Sequence, residues 1–247
     1  MRSFHFVLFL AAALSASDAV AQAKPQNPLY SRLNTFGVFG AYSNDSSHIL
    51  LGVVADRKLL NIGASYNRRL WQGRIVNWQY SGELIPVALE SDPLVHEVEV
   101  FTSPFYATFT HSYAPYGACH PDSGSFSQTI NGITTTYTYT DTCSRQWTIG
   151  EAMSPVGFQW NFLPRNKLQP VFAAHGGYMY SSQPIPTSGA GSFNFTFDFG
   201  VGVELYRTRT RSIRAEYRYH HISNHDTASQ NPGIDNGLFQ LTYAFGR

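Results

Sequence analysis

The sequence predicts an all-β chain, an eight-stranded antiparallel transmembrane β-barrel of the bacterial outer membrane with a long extracellular hairpin loop. Three observations point there. The chain opens with an export leader, its later segments alternate apolar and polar residues with a period of two, and tight connections alternate with long ones.

In the leader, Arg2 precedes the apolar run from Phe4 to Leu14, and Ala19-Val20-Ala21 offers small residues at cleavage spacing, with Ala21-Gln22-Ala23 as an overlapping choice. Charge, short apolar stretch and A-x-A site in that order read as a secretory signal peptide over residues 1–21. The run is too short to cross a bilayer as a helix, which takes about 20 apolar residues. Residues 22–247 then form one domain, since all-β barrels of this size are commonly single units. No later stretch of uninterrupted apolar residues is long enough for a helical span, so any crossing of the membrane must be made by strands. Only 13% of the residues are charged, against about 25% in a typical soluble domain. The formal net charge of +1 gives no basic excess for nucleic acid.

The alternation is plainest from Phe193 to Leu205. Phe193, Phe195, Phe197, Phe199, Val201, Val203 and Leu205 share one face, and Asn194, Thr196, Asp198, Gly200, Gly202 and Glu204 share the other. The next segment repeats it, with Ile213, Ala215, Tyr217 and Tyr219 opposite Arg214, Glu216 and Arg218. Phe239, Leu241, Tyr243 and Phe245 repeat it again at the C-terminus. Apolar residues toward lipid and polar ones toward the lumen are the mark of a membrane barrel. Asp198 and Glu204 are expected to meet Arg214 and Arg218 inside it. Eight strands are expected at 34–44, 56–70, 73–90, 147–163, 168–183, 191–206, 211–223 and 236–246. Tight turns fall near 72–73, 164–167 and 208–210, and longer connections near 45–55, 92–146, 184–190 and 224–235. Short turns lie on the periplasmic side of such barrels and long loops outside. A soluble lipocalin-like barrel gives the same alternation with its faces exchanged. The strand lengths, beyond the usual five or six residues, and the sparse charge on the polar face favour the membrane reading.

The stretch 92–146 reads as an extracellular insertion. Asn131-Gly132 is the preferred pair for a two-residue hairpin turn. Cys119 and Cys143 flank it within one residue of cross-strand register, and in an exported chain they are expected to form a disulfide that staples the hairpin.

The chemistry is expected in Tyr219-His220-His221-Ile222-Ser223-Asn224 and Asn231-Pro232-Gly233-Ile234-Asp235. His221 and Ser223 are two apart on one strand, so both continue the lipid-facing series, while His220 points to the lumen. An imidazole so placed can lean on a hydroxyl and activate it. Asp235 opens the next strand and can return to orient the second ring nitrogen, the logic of a serine–histidine–acid triad. Asp226, in the loop between, is the alternative acid. Groups facing hydrocarbon at the outer end of a strand suit a scissile bond that belongs to a membrane lipid.

This segment resembles the lipid A 3-O-deacylase family (PagL-type acyloxyacyl hydrolases), eight-stranded outer-membrane barrels with a lipid-facing His-x-Ser site. The resemblance implies His221 as base, Ser223 as nucleophile, and Asn224 and Asn231 as supports of the site, the latter near the oxyanion. The family's acid is usually Glu, and Asp235 stands at the matching position. The implied reaction is hydrolysis of the 3-O-linked hydroxyacyl ester of lipid A, the partner being lipopolysaccharide of the outer leaflet, with no metal and no organic cofactor. A homodimer is left open. The competing reading is a non-catalytic outer-membrane barrel for adhesion or envelope integrity, with the stapled hairpin as its working part.

Overall fold

The computed structural model describes residues 30–102 and 105–247, and the leader expected over 1–21 lies outside the described residues. Ten strands follow in order: β1 (Asn34–Ser43), β2 (Lys58–Gln72), β3 (Val76–Thr102), β4 (Ala107–Tyr113), β5 (Asp122–Ile130), β6 (Ile133–Phe162), β7 (Leu168–Ser181), β8 (Phe193–Tyr206), β9 (Arg211–Ser223) and β10 (Ile234–Gly246). Eight of them close a ring: β1 pairs with β2, β2 with β3, β3 with β6, and so on through β7, β8 and β9 to β10, which pairs back with β1. All these pairings are antiparallel. Closure leaves the ring without an unpaired edge, which hydrocarbon demands because it offers the backbone no hydrogen bonds.

The alternation read from the sequence sets the faces. Phe193, Phe195, Phe199, Val201, Val203 and Leu205 stand exposed on the outside of β8, as do Phe239, Leu241, Tyr243 and Phe245 on β10. Between them the even-numbered polar residues are buried in the lumen. Asp198 meets Arg218 there at 3.3 Å, as expected. Glu204 does not meet Arg214, its cross-strand neighbour. Arg32, entering ahead of β1, reaches Glu204 at 2.5 Å, and Arg214 turns to Glu216 at 2.7 Å on its own strand. The sequence reading missed Arg32 because it precedes the first alternating segment. Eight strands leave room inside only for side chains. A cavity of about 20 Å³ among Asn61, Glu83, Ser154, Asp198, Arg218 and His220 would hold one water, and buried polar side chains pack around it.

The expected bounds of two strands need correction. β3 runs on to Thr102 and β6 begins at Ile133, where the sequence reading stopped them at 90 and 147. Their pairing continues in one register from Ala88↔Gly150 to Thr102↔Thr136. β4 adds to the outer part of β3 and β5 to that of β6. The stretch 92–146 is thus a four-stranded continuation of the barrel wall, with the expected hairpin turn at Asn131-Gly132 as one piece of it. Above the hydrocarbon both faces of a strand may be polar, so the apolar alternation fades at Glu90 and Asp92 although the strand does not end. Cys119 and Cys143 are joined, with Cα atoms 5.8 Å apart.

Candidate active site

The outer ends of β8, β9 and β10 carry the residues singled out in the sequence. His221 lies directly opposite Asp235 in the β9–β10 pairing and opposite Phe197 in the β8–β9 pairing. All three therefore share the outward face. His221 Nδ1 is 2.6 Å from Asp235 Oδ1. An ionised carboxylate only accepts hydrogen bonds, so Nδ1 carries the proton and Nε2 is left as the free acceptor. Nε2 makes no hydrogen bond among the described residues. The Phe197 ring packs on the imidazole with centroids 5.1 Å apart.

Asp235 is fully buried, unusual for a carboxylate, and four donors surround it. Oδ1 accepts from His221 and from the Tyr219 hydroxyl at 2.7 Å. Oδ2 accepts from the backbone N–H groups of Leu50 and Leu51 at 2.7 and 2.8 Å. Asp226 sits exposed in the turn after β9 with φ 59°, and Asp235 already occupies the imidazole.

Ser223 is placed differently from expectation. Its hydroxyl does not meet His221 but donates to Asn231 Oδ1 at 2.8 Å. Asn231 Oδ1 also accepts the backbone N–H of Asn224 at 3.1 Å. Because that N–H can only donate, the amide oxygen of Asn231 must face it, which leaves Nδ2 as the free donor. Asn224 is buried and holds the turn from within: its Nδ2 donates to Gln230 O at 2.7 Å, and its own carbonyl accepts from Thr227 Oγ1 at 2.7 Å. Asn224 thus shapes the loop that carries Asn231. Gly233, at φ 64°, lies so near the imidazole that an added Cβ would fall 3.1 Å from His221 Cε1. Here the left-handed backbone and the close approach both call for glycine.

In the sequence Tyr219 has a place in the lipid-facing series but no role at the site, and the segment 49–53 is not singled out. The available signal was the aliphatic run Ile49-Leu50-Leu51-Gly52-Val53-Val54 inside a connection otherwise rich in polar and turn residues.

A second serine–histidine–aspartate trio lies in the lumen. His175 Nδ1 is 2.9 Å from Asp198 Oδ1, and His175 Nε2 is 2.9 Å from Ser81 Oγ. Glu83, His175 and Asp198 also bring three donor atoms close enough to hold a metal ion. Arg218 already supplies positive charge there, with Nη2 3.0 Å from Glu83 and Nη1 3.3 Å from Asp198. A dication would have to share the space with that guanidinium, so the group fits a buried salt-bridge network rather than a metal centre. Ser81 and the His175 side chain have no exposed surface.

Comparison with known proteins ties the chain to one group. The family described as lipid A 3-O-deacylase (PagL) matches residues 117–244. That span takes in His221, Ser223, Asn224, Asn231 and Asp235, and it also takes in 117–146, part of the stretch that reads from the sequence as an extracellular insertion. Among solved structures, the outer membrane enzyme PagL aligns at 13% identity with a TM-score of 0.48, covering 85% of this chain and 99% of its own. Neisserial surface protein A aligns at 12% identity with a TM-score of 0.43, covering 87% and 97%. No curated protein matches the sequence.

Proposed function

The chain belongs to the lipid A 3-O-deacylase (PagL) family, and from that premise we propose that it is an outer-membrane esterase that removes the 3-O-linked hydroxyacyl chain of lipid A by a serine–histidine–acid mechanism. The observation that carries the residue assignment is the 2.6 Å contact of His221 with a buried Asp235 on the outward face, at the loop end of the barrel. Carboxylate, imidazole and a hydroxyl two residues away then face the layer in which the ester of an outer-leaflet lipid lies.

In this reading Asp235 fixes the tautomer of His221 and stabilises the imidazolium that forms. Ser223 Oγ rotates from Asn231 toward His221 Nε2, gives up its proton to it and attacks the ester carbonyl. The tetrahedral oxyanion accepts hydrogen bonds from Asn231 Nδ2 and neighbouring backbone N–H groups, and one such donor is typically worth about 3 kcal/mol in the transition state. The intermediate collapses with cleavage of the bond to the sugar oxygen, which takes the proton from His221. Water, activated by the same imidazole, then releases the hydroxy fatty acid from Ser223. Phe195 and Phe197, opposite Ser223 and His221 on β8, give the acyl chain an apolar wall. No step calls for a metal or an organic cofactor.

The test is the lipid A mass spectrum of outer membranes with and without the protein. The wild-type chain should remove one hydroxyacyl unit and release the free acid, and Ser223→Ala should do neither while the barrel still assembles. Unchanged spectra with the wild-type chain would favour the non-catalytic reading instead.

A further inference from the structure

We infer that residues 49–53 form a membrane-seated strap that positions Asp235, its backbone holding the carboxylate while its aliphatic side chains sit among the acyl chains of the outer leaflet. This rests on the hydrolase reading of the site. It adds a part of the molecule outside both active strands, and it couples contact with lipid to the orientation of the acid.

The path of the chain builds the strap. The β1–β10 ladder ends at Ser43↔Leu238, which leaves the first turns of β10 without their strand partner. Residues 44–47 take that place, with Asn44 N donating to Gly237 O at 3.1 Å and Ser47 N to Asp235 O at 3.2 Å. The chain then doubles back. Val53 N donates to Pro232 O at 2.8 Å, and Val54 bridges to Ile234 in parallel. Beyond it Val54 and Arg57 are fully buried, and Arg57 is held by Asp92 at 3.0 Å. The strap is therefore tied at both ends, and only its middle is free to sit outward.

That middle has two contrasting sides. Toward the barrel it presents the N–H groups of Leu50 and Leu51 to Asp235 Oδ2. Gly52 presses so closely that an added Cβ would lie 2.6 Å from Asp235 N and 2.8 Å from Ile234 C, both backbone atoms that cannot swing aside. Away from the barrel, Leu50 and Leu51 are 61% and 60% exposed, and Ile49 and Val53 stand exposed beside them. Asp235 is on the outward face, so whatever covers its carboxylate is outside the barrel wall. Directly below on the same face lie Phe239, Leu241, Tyr243 and Phe245 of β10, the lipid-facing row. An exposed aliphatic cluster continuous with that row is suited to hydrocarbon. Tyr219, donating to Asp235 from β9, is a second positioning residue that meets the carboxylate from the opposite side.

Two measurements on the full chain in phospholipid vesicles containing lipid A test the strap. The first is deacylation kinetics. Gly52→Ala forces the strap off Asp235 and should lower kcat about 10- to 100-fold with KM changed less than about twofold, and Tyr219→Phe should lower kcat less. Leu50→Asn with Leu51→Asn should slow deacylation in vesicles about tenfold, and Leu50→Met with Leu51→Met should restore it, which a merely structural loop would not require. The second is independent of activity. A nitroxide attached at Leu51→Cys should relax with oxygen and be shielded from a water-soluble nickel complex. Unchanged kcat in Gly52→Ala overturns the positioning role, and a label open to the nickel complex overturns the membrane seating. A wild-type chain that releases no fatty acid would instead overturn the hydrolase reading and the positioning role with it.

Discussion

Among the described residues, two places gather a serine, a histidine and an aspartate, and they differ in what surrounds them. In the lumen, Ser81, His175 and Asp198 make both contacts of a triad at 2.9 Å. At the outer rim, His221 and Asp235 are in contact, but Ser223 is turned aside to Asn231. By geometry alone the lumenal trio is the better formed. It is also sealed, lies beside Arg218 and Glu83, and spends its carboxylate on a guanidinium as well as on the imidazole. The rim trio has a half-buried hydroxyl and an imidazole whose Nε2 is uncommitted. Triad distances measure packing. Access, and a free nitrogen on the base, make a site, and apo geometry is often looser than that of the working complex.

The largest expected effect separates the two serines. Ser223→Ala should reduce the rate of fatty-acid release from lipid A by at least 10⁴-fold, whereas Ser81→Ala should leave it within about twofold. Mass spectra of lipid A from membranes holding equal amounts of folded barrel decide it. A strong loss in Ser81→Ala at full assembly would reverse the comparison and move the chemistry into the lumen.

The two aspartates should divide in the same manner, with smaller effects. Asp235→Asn keeps the shape of the side chain but offers an amide where His221 needs an acceptor, and a loss of about 10³- to 10⁴-fold in kcat is expected from the wrong tautomer. Asp198→Asn should instead act on stability. The amide replaces a carboxylate that accepts from both His175 and Arg218, but Arg218 keeps Glu83 and Glu216 at 3.0 Å, so the cost should fall below the roughly 3–5 kcal/mol of breaking an isolated buried pair. Midpoints of unfolding in detergent should fall for both, since each buried carboxylate serves several donors, while activity per folded molecule should be lost only in Asp235→Asn. An Asp198→Asn chain that is both stable and inactive would contradict this division.

What could be read in advance follows from which residues carry a periodic signal. The ring of eight, its faces, and the placement of His221, Ser223 and Asp235 on one outward rim all come from period-two alternation, since strand geometry leaves no other choice once the register is set. Three things escaped it. The turn of Ser223 toward Asn231 depends on a competition between two acceptors, which spacing does not report. The donors from Leu50, Leu51 and Tyr219 depend on a connecting segment folding back on β10, and such segments have no period. The outer half of β3, and the run of β6 from the hairpin at Asn131-Gly132 into the barrel wall, were missed for the opposite reason: they are regular strands, but outside the hydrocarbon both faces carry polar residues such as Thr136, Thr138, Glu97 and Glu99, and the lipid-facing contrast that marks the others is gone.

The smallest effect on hydrolysis is expected from the disulfide, and it tests how separate the projecting sheet is from the rim site. Around the ring, β3 stands four strands from β9 and β6 four from β10 in either direction. Cys119 and Cys143 link the segment before β5 to the outer part of β6, and that segment touches the base of the strap where Tyr116 O accepts from Ala55 N at 2.8 Å. Closing a loop of this length is typically worth about 3 kcal/mol, and here that stabilisation applies to the projecting strands, because the ring below is closed by its own pairings. Cys119→Ser with Cys143→Ser should therefore speed proteolytic cleavage within 107–130 while leaving fatty-acid release within about twofold and the unfolding midpoint of the barrel unchanged. If deacylation fell in parallel with protease resistance, the sheet and the rim site would have to be coupled through the barrel mouth. Arg57 is the residue that could carry such coupling: it is held by Asp92 on β3 and by the carbonyls of Pro115 and Pro186, close in sequence to the strap that bonds Asp235.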